Sequence, residues 1–342
     1  YGFEKSNSPH SFTIFLSPKA FSLVNFESHN FKKVLSDVSW HTITEQWKFK
    51  KELDKHNLDL VHFPYFSYPV FYNKPFIITI HDLIIDHYPT GMASSLPLPF
   101  YYLKYYAYKK IIKSAVKKAE KLIVPSIATK DELIAHYKTK IDRVEVIYEG
   151  FDSLISENAV KEKLVSKNYI LYVGNAYPHK NLKKLLEAFK IIRKETDIDL
   201  VCIGRDDFFY DRYEKKIHDG VYFLHSIDES TLFAYYTNAL CLAVPSLMEG
   251  FGLPLLEAMS LSCPIVSSNT KALREIGSDA CLYFDPEQVS EIKNALREII
   301  TDKPLREGLI KKGLIQSKKF SWEKCIDQTL KLYESCDNIR QG

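Results

Sequence analysis

The chain has 342 residues, 46% of them hydrophobic and 26% charged, which suits two packed domains and excludes a wholly disordered polymer. Its net charge is only +3, so nucleic acid is not the default partner, and no apolar run is long enough for a bilayer span. The six cysteines, all from Cys202 onward, form no CxxC or Cys/His cluster of zinc spacing and read as buried reduced thiols of a cytoplasmic protein.

In chain order, the first predicted strands are Phe12–Leu16, Leu60–Phe63, Phe76–Ile80, Lys121–Pro125 and Val144–Ile147. A second series is Tyr169–Val173, Leu200–Ile203, Val221–Leu224, Leu240–Val244 and Pro264–Ser267. Runs such as FIITI and YILYV suit strands buried on both faces, as in a parallel sheet covered by helices. Between them, 100–122 reads as an amphipathic helix. Its lysines 109, 110, 113, 117 and 121 fall on one face, with Ile111, Ala115, Val116, Ala119 and Leu122 on the other. Ser126 can cap a helix over Ala128–Tyr137, and Leu182–Lys194 sets Leu185, Leu186, Phe189 and Ile192 on one face. Strand and helix in alternation predict doubly wound α/β domains, divided near the polar stretch Asp152–Lys167. Residues 1–150 hold 20 lysines and arginines against 15 acids, and the remainder 26 against 28. The basic excess lies mostly within Lys104 to Lys121.

Pro245–Met259, PSLMEGFGLPLLEAM, is the most informative segment. A buried strand ends there, two glycines follow, and Pro254 opens a helix. Gly250 and Gly252 let backbone amides approach a ligand, and the helix start is an anion site suited to a diphosphate. Glu249 and Glu257 flank the turn and can grip two ends of one extended ligand. Tyr172–Asn181, YVGNAYPHKN, repeats the logic: Gly174 turns the chain after a strand, and Lys180 stands before the next helix, where it can neutralise a leaving phosphate.

These two strings, about 70 residues apart, resemble the donor domain of family 4 retaining glycosyltransferases of the GT-B fold. LVHFPYFSYPVFYNKPFIITIHDLI resembles the acceptor domain of that family's mannosyltransferase-like branch, and SDACLYFDP and FSWEKCIDQTLKLYES also fit. The resemblance implies two Rossmann-like domains facing across a cleft. Residues 1–152 would form the acceptor side and 153–320 the donor side, with a helix over 321–338 returning to the first domain. It implies that Glu249 contacts donor-sugar hydroxyls beside the amides of Gly250, Phe251 and Gly252. Glu257 would bind the ribose, Lys180 the diphosphate, and Gly174 and Asn175 would lie beside it. His225–Ile227 would lie near the base, and His81 in the cleft between donor sugar and acceptor. The implied reaction is transfer of a hexose, preferably mannose, with retention of configuration. The donor would be a nucleoside-diphosphate sugar, GDP-mannose ahead of UDP-sugars, and the acceptor a glycan or lipid-linked saccharide.

No metal or other cofactor is expected. Asp206 and Asp207 read as a turn, and Asp82 with Asp86 lacks the partners of an octahedral site. The basic, aromatic helix over 100–122 suggests peripheral contact with an anionic membrane. Two departures stand out. Ser262 occupies a position where the family carries glycine, and the opening strand with its glycine-rich loop is not found. Tyr1–Asn7 resembles the segment before that loop and Ser8 onward the strand beyond it, so the expectation is a chain lacking those pieces. The alternative function is therefore a catalytically silent GT-B binding or partner protein. A nicotinamide oxidoreductase is disfavoured, since no G-x-G-x-x-G follows an early strand.

Overall fold

The computed structural model describes residues 2–6, 8–40, 42–89, 98–151, 167–216 and 219–341. Three sheets form among them, all parallel. Strands β1 (Phe12–Leu16) and β2 (Phe31–Leu35) make a separate pair. Strands β3 (Val61–Phe63), β4 (Phe76–Thr79), β5 (Lys121–Val124) and β6 (Val144–Val146) lie side by side in that order. The third sheet contains β7 (Tyr169–Val173), β8 (Asp199–Gly204), β9 (Val221–His225), β10 (Cys241–Val244), β11 (Ile265–Ser268) and β12 (Leu282–Phe284), ordered β12-β11-β10-β7-β8-β9.

The third sheet is doubly wound: the chain leaves β7 in one direction, returns, and leaves β10 in the other. Its central strands β7 and β10 are apolar at nearly every position and buried, because helices cover both faces. In the first half, no ladder joins β1 to β3. A doubly wound order would need a strand between them, and none of the described residues supplies one.

Helix Trp322–Gln341 returns to the first half, where Leu332 and Cys336 pack with Ile77, Ile123 and Ile147. A Cβ on Gly150 would overlap the Trp322 backbone, so the glycine lets the chain and this helix start lie in contact. The predicted break at Asp152–Lys167 lies almost wholly outside the described residues.

The helix predicted over 100–122 runs over Leu98–Lys118. Lys121 and Leu122 belong instead to β5, whose edge pairs with β4 and β6. The single lysine face also breaks up: Lys109 turns inward to the fully buried carboxylate of Asp86, 2.7 Å away. The outward residues of the first two turns are Phe100, Tyr102, Leu103 and Tyr106. Ser126 caps the next helix, Ile127–Tyr137, as predicted, accepting from the Thr129 amide. Cys202, Cys241, Cys263, Cys281 and Cys336 are buried, Cys325 is half-buried, and all six are free thiols.

His62 sits at the seam under the returning helix. Its Nδ1 is 2.6 Å from the Tyr333 hydroxyl and its Nε2 2.8 Å from Thr79 Oγ1. Burial, with a smaller push from the charge of His81, lowers its pKa from 6.5 to about 4. The unfolded chain therefore takes the proton first. Stability from this site is complete above pH 6.5 and is lost as pH falls towards 4, a span worth about 3 kcal/mol. Thermal melting between pH 7 and pH 4.5 should show a steeper loss in the wild type than in His62→Asn; parallel slopes would refute the assignment.

Candidate functional site

The winding reverses between β7 and β10, and ligands of open α/β sheets bind beyond the carboxyl ends of strands at such a point. Both sequence motifs lie there. Gly174 ends β7 with φ 152, a value favouring glycine. Its amide donates to Ile203 O at 3.0 Å and its carbonyl accepts from the Tyr210 hydroxyl at 2.6 Å. Asn175 follows, its side-chain oxygen accepting from the Tyr177 amide. A short 3-10 turn, Pro178–Lys180, then leads to Asn181.

Asn181 is a residue that sequence reasoning left without a role. Its backbone is left-handed (φ 57), and its buried side-chain nitrogen donates to Pro245 O at 3.0 Å and Pro286 O at 2.8 Å. It thereby bolts the loop after β7 to the end of β10. Lys180, the neighbour, is carried to Glu249, with Nζ 2.6 Å from Oε1. Side-chain exposures of 18% and 12% make this a largely desolvated pair rather than a surface ion pair.

After Glu249 the chain crosses Gly250, Phe251 and Gly252 into helix Leu253–Ser260. The helix starts one residue ahead of Pro254, with Gly252 (φ 117) at the N-cap and no side chain capping it. Its first amides thus keep their positive end for a ligand. Glu257, within this helix, accepts from the Tyr236 hydroxyl at 2.7 Å. Burial raises its pKa above 4.5, Tyr236 opposes that, and Glu229 adds to it. No cation pairs with it among the described residues. His225 ends β9, with Nδ1 3.2 Å from Gly204 O and Nε2 against Glu214.

The two halves meet at Gly250. A Cβ there would overlap the carbonyl oxygen of His81. The Gly250 carbonyl accepts from Ser126 Oγ at 2.7 Å and Thr129 Oγ1 at 3.1 Å. Nearby, Glu275 accepts from the amides of Ile127 and Ala128 at 2.7 and 2.9 Å, so a carboxylate of the second half occupies a helix start of the first.

His81 follows β4. Its Nε2–H donates to Pro64 O at 3.0 Å and its Nδ1 lies 2.7 Å from Glu149 Oε1. Burial alone would lower its pKa. The hydrogen bond and charge of Glu149, the Pro64 carbonyl and Asp82 outweigh burial and raise it above 6.5. Both ring nitrogens face an acceptor, so neither is free for another partner. Glu149 carried no motif that could have flagged it.

Between the halves lies a cleft of about 570 Å³, lined by Asp82, Tyr65 and Tyr88 on one side and by Tyr177, Lys180 and Glu249 on the other. Asn175 also lines it, while His81, Gly174, Gly250, Phe251, Gly252 and Glu257 are not among its lining residues. No group of three or more His, Cys, Asp or Glu residues suited to a metal occurs among the described residues. Asp207, suspected as a turn residue, caps helix Phe208–Glu214 through the amides of Phe209 and Tyr210.

Gly250→Ala should separate the halves at this contact. We expect a loss of about 1–3 kcal/mol by urea unfolding, with weaker ligand-induced stabilisation. An unchanged midpoint would show that the contact yields freely.

Comparison with known proteins gives one direction. The family described as "Glycosyl transferases group 1" matches residues 155–336, more than half the chain, and "Glycosyltransferase Family 4" matches residues 11–153. O-antigen chain mannosyltransferase B of Escherichia coli is 36% identical over 181 residues, covering 51% of this chain and 48% of its own length. O-antigen chain mannosyltransferase RfbU of Salmonella typhimurium is 26% identical over 247 residues, 71% of this chain and 65% of its own. The chain thus spans about half to two thirds of these relatives. Among solved structures, sucrose-phosphate synthase of Thermosynechococcus elongatus superposes with a TM-score of 0.78 at 20% identity, covering 99% of this chain and 92% of its own. That similarity establishes the fold: GT-B, with two Rossmann-like domains.

Proposed function

The chain belongs to the glycosyl transferases group 1 family, and from that membership we propose that it transfers a hexose, with mannose preferred, from a nucleoside-diphosphate sugar to a saccharide acceptor. The observation that carries the proposal is the Lys180–Glu249 pair, set in the interdomain cleft at the switch point beside an uncapped helix start. Glu249 has a second oxygen for a sugar hydroxyl, and the Lys180 ammonium lies where charge develops on a departing diphosphate. Both groups stand in a partly dehydrated cleft, where such interactions strengthen. Glu257 sits deeper on the same helix and suits a ribose hydroxyl. Reaction would proceed with retention. The acceptor oxygen attacks on the face that the leaving group departs from, and positioning supplies most of the rate. Family mannosyltransferases support mannose, hence GDP as the first nucleotide to try. The site uses a lysine and a helix start in place of a metal.

A silent binding protein is the second reading. One feature favours it: Gly91 is the sole glycine between Gly2 and Gly150, so residues 3–149 hold no glycine-rich loop. Thermal shift with GDP, UDP, ADP and dTDP, with and without EDTA, followed by transfer assays, separates the readings. A single preferred nucleotide should stabilise by about 2.7 kcal/mol at a hundredfold its Kd, insensitive to EDTA. Glu249→Ala should abolish transfer, and Glu257→Ala should chiefly weaken nucleotide binding. Binding without transfer by any donor would select the silent reading, and no binding at all would remove both.

No helix among the described residues is long and apolar enough to cross a membrane. Helix Leu98–Lys118 does present an apolar, aromatic face: Phe100, Leu103 and Tyr106 are more than half exposed. Lys110 lies 5.2 Å over the Tyr106 ring, and Lys113 and Lys117 continue outward. We infer peripheral binding to an anionic bilayer, which would bring the cleft to a lipid-linked acceptor. The protein should sediment with anionic vesicles at low salt and less with neutral ones, and Leu103→Glu should release it. Equal recovery with and without vesicles would end this inference.

A further inference from the structure

Two aspartates four residues apart follow β4, and their surroundings differ. Asp86 is fully buried and saturated: it takes Lys109 Nζ at 2.7 Å, the Tyr108 hydroxyl at 3.2 Å and the Tyr137 hydroxyl at 2.7 Å. Asp82 has one hydrogen bond among the described residues, from the Ile84 amide to Oδ1 at 2.9 Å. Asp82 lines the cleft, and no donor to its other oxygen is found among the described residues.

Asp82 pays for that position. Burial raises its pKa above 3.8; the Ile84 amide opposes the rise, Glu249 increases it, and His81 and Lys180 oppose it. A structural carboxylate in such surroundings is normally saturated with donors, as Asp86 is. An unfilled oxygen held at a cleft wall is a place for a ligand hydroxyl. Its neighbours describe that ligand. Tyr65, Phe66, Tyr105 and Tyr108 line the same half of the cleft, and Tyr65 lies near enough that Asp82 helps raise its phenol pKa, after burial. Aromatic walls with one carboxylate suit a pyranose, which offers C–H faces to rings and hydroxyls to an acceptor oxygen. Lys180 and Glu249, assigned above to the donor, stand on the opposite half.

We propose that Asp82 orients the acceptor: its free oxygen accepts a hydrogen bond from the saccharide hydroxyl next to the attacking one, and so holds the attacking oxygen against the donor's anomeric carbon while leaving its proton for the diphosphate. This rests on the transfer reading given above. The acceptor oxygen bonds to the anomeric carbon as the bond from that carbon to the diphosphate oxygen breaks. The electron pair leaves with the diphosphate, which also receives the hydroxyl proton. Asp82 ends as it began, so its contribution is orientation.

Asp82→Asn tests this, since the amide oxygen preserves the Ile84 bond. The donor is the nucleotide sugar of whichever nucleotide gives the largest thermal shift. The acceptors are water and a panel of methyl glycosides. Transfer to a methyl glycoside should fall about 10- to 100-fold in kcat/KM for the acceptor. Donor KM, nucleotide thermal shift and hydrolysis of the donor by water should stay within about twofold. Asp82→Glu, which keeps the charge but displaces the oxygen, should give the same split. Equal loss of hydrolysis and transfer would place Asp82 on the donor, and no loss would make it idle; either overturns the proposal. Wild-type hydrolysis with no transfer to any methyl glycoside would remove the saccharide assignment. A wild type that neither binds nor cleaves nucleotide sugars would instead defeat the transfer reading, and this proposal with it.

Discussion

The contact of Gly250 with the His81 carbonyl sets the geometry on which the rest depends. At this point the donor-side loop and the end of β4 approach more closely than any side chain would permit. The contact is fixed as well as close, because Ser126 and Thr129 grip the Gly250 carbonyl and Glu275 fills the helix start beside them. One consequence is that Asp82, next to His81, faces Glu249, next to Gly250. The cleft is defined by two adjacent pairs in the sequence held by one backbone contact.

Charge in that cleft is balanced across the domain boundary. Glu249 and Lys180 form an ion pair within one domain, and His81 and Glu149 hydrogen-bond within the other. Asp82 is the remainder. It lies near His81, Lys180 and Glu249, so groups of both domains act on one carboxylate at the boundary.

Much of the donor half was legible in the sequence because backbone chemistry writes itself there. A strand, a glycine pair and a proline within one helix turn can be read as an open helix start, and the structure has a helix start without a side-chain cap there, displaced by one residue at Leu253. Ten strands could be seen from their apolar runs. The two missed, β2 and β12, lack that signal: FKKVL carries two lysines, and LYF is three residues long. Asn181, Glu149 and Glu275 act through partners 64 or more residues away, and no local pattern encodes such pairings. The amphipathic reading of 100–122 held for its buried face, with Ala115, Val116 and Ala119 inside and Lys110, Lys113 and Lys117 outside, but misplaced one lysine for the same reason. Lys109 matches its lysine neighbours in spacing, but a buried aspartate from another segment turns it inward.

That inward turn bears on the acceptor side as a whole. Asp86 gathers Lys109, Tyr108 and Tyr137 from two helices, and so fixes helix Leu98–Lys118 against the segment that begins at His81. Tyr105 and Tyr108, which line the cleft, and Phe100, Leu103 and Tyr106, which face outward, belong to one rigid element. Whatever the outer face rests on is thereby placed at a fixed depth from Asp82. A saccharide reaching the cleft from a lipid anchor would meet aromatic rings first and the open carboxylate next. An acceptor free in water would gain nothing from the outer face. The buried Asp86 network is what makes those two situations physically different.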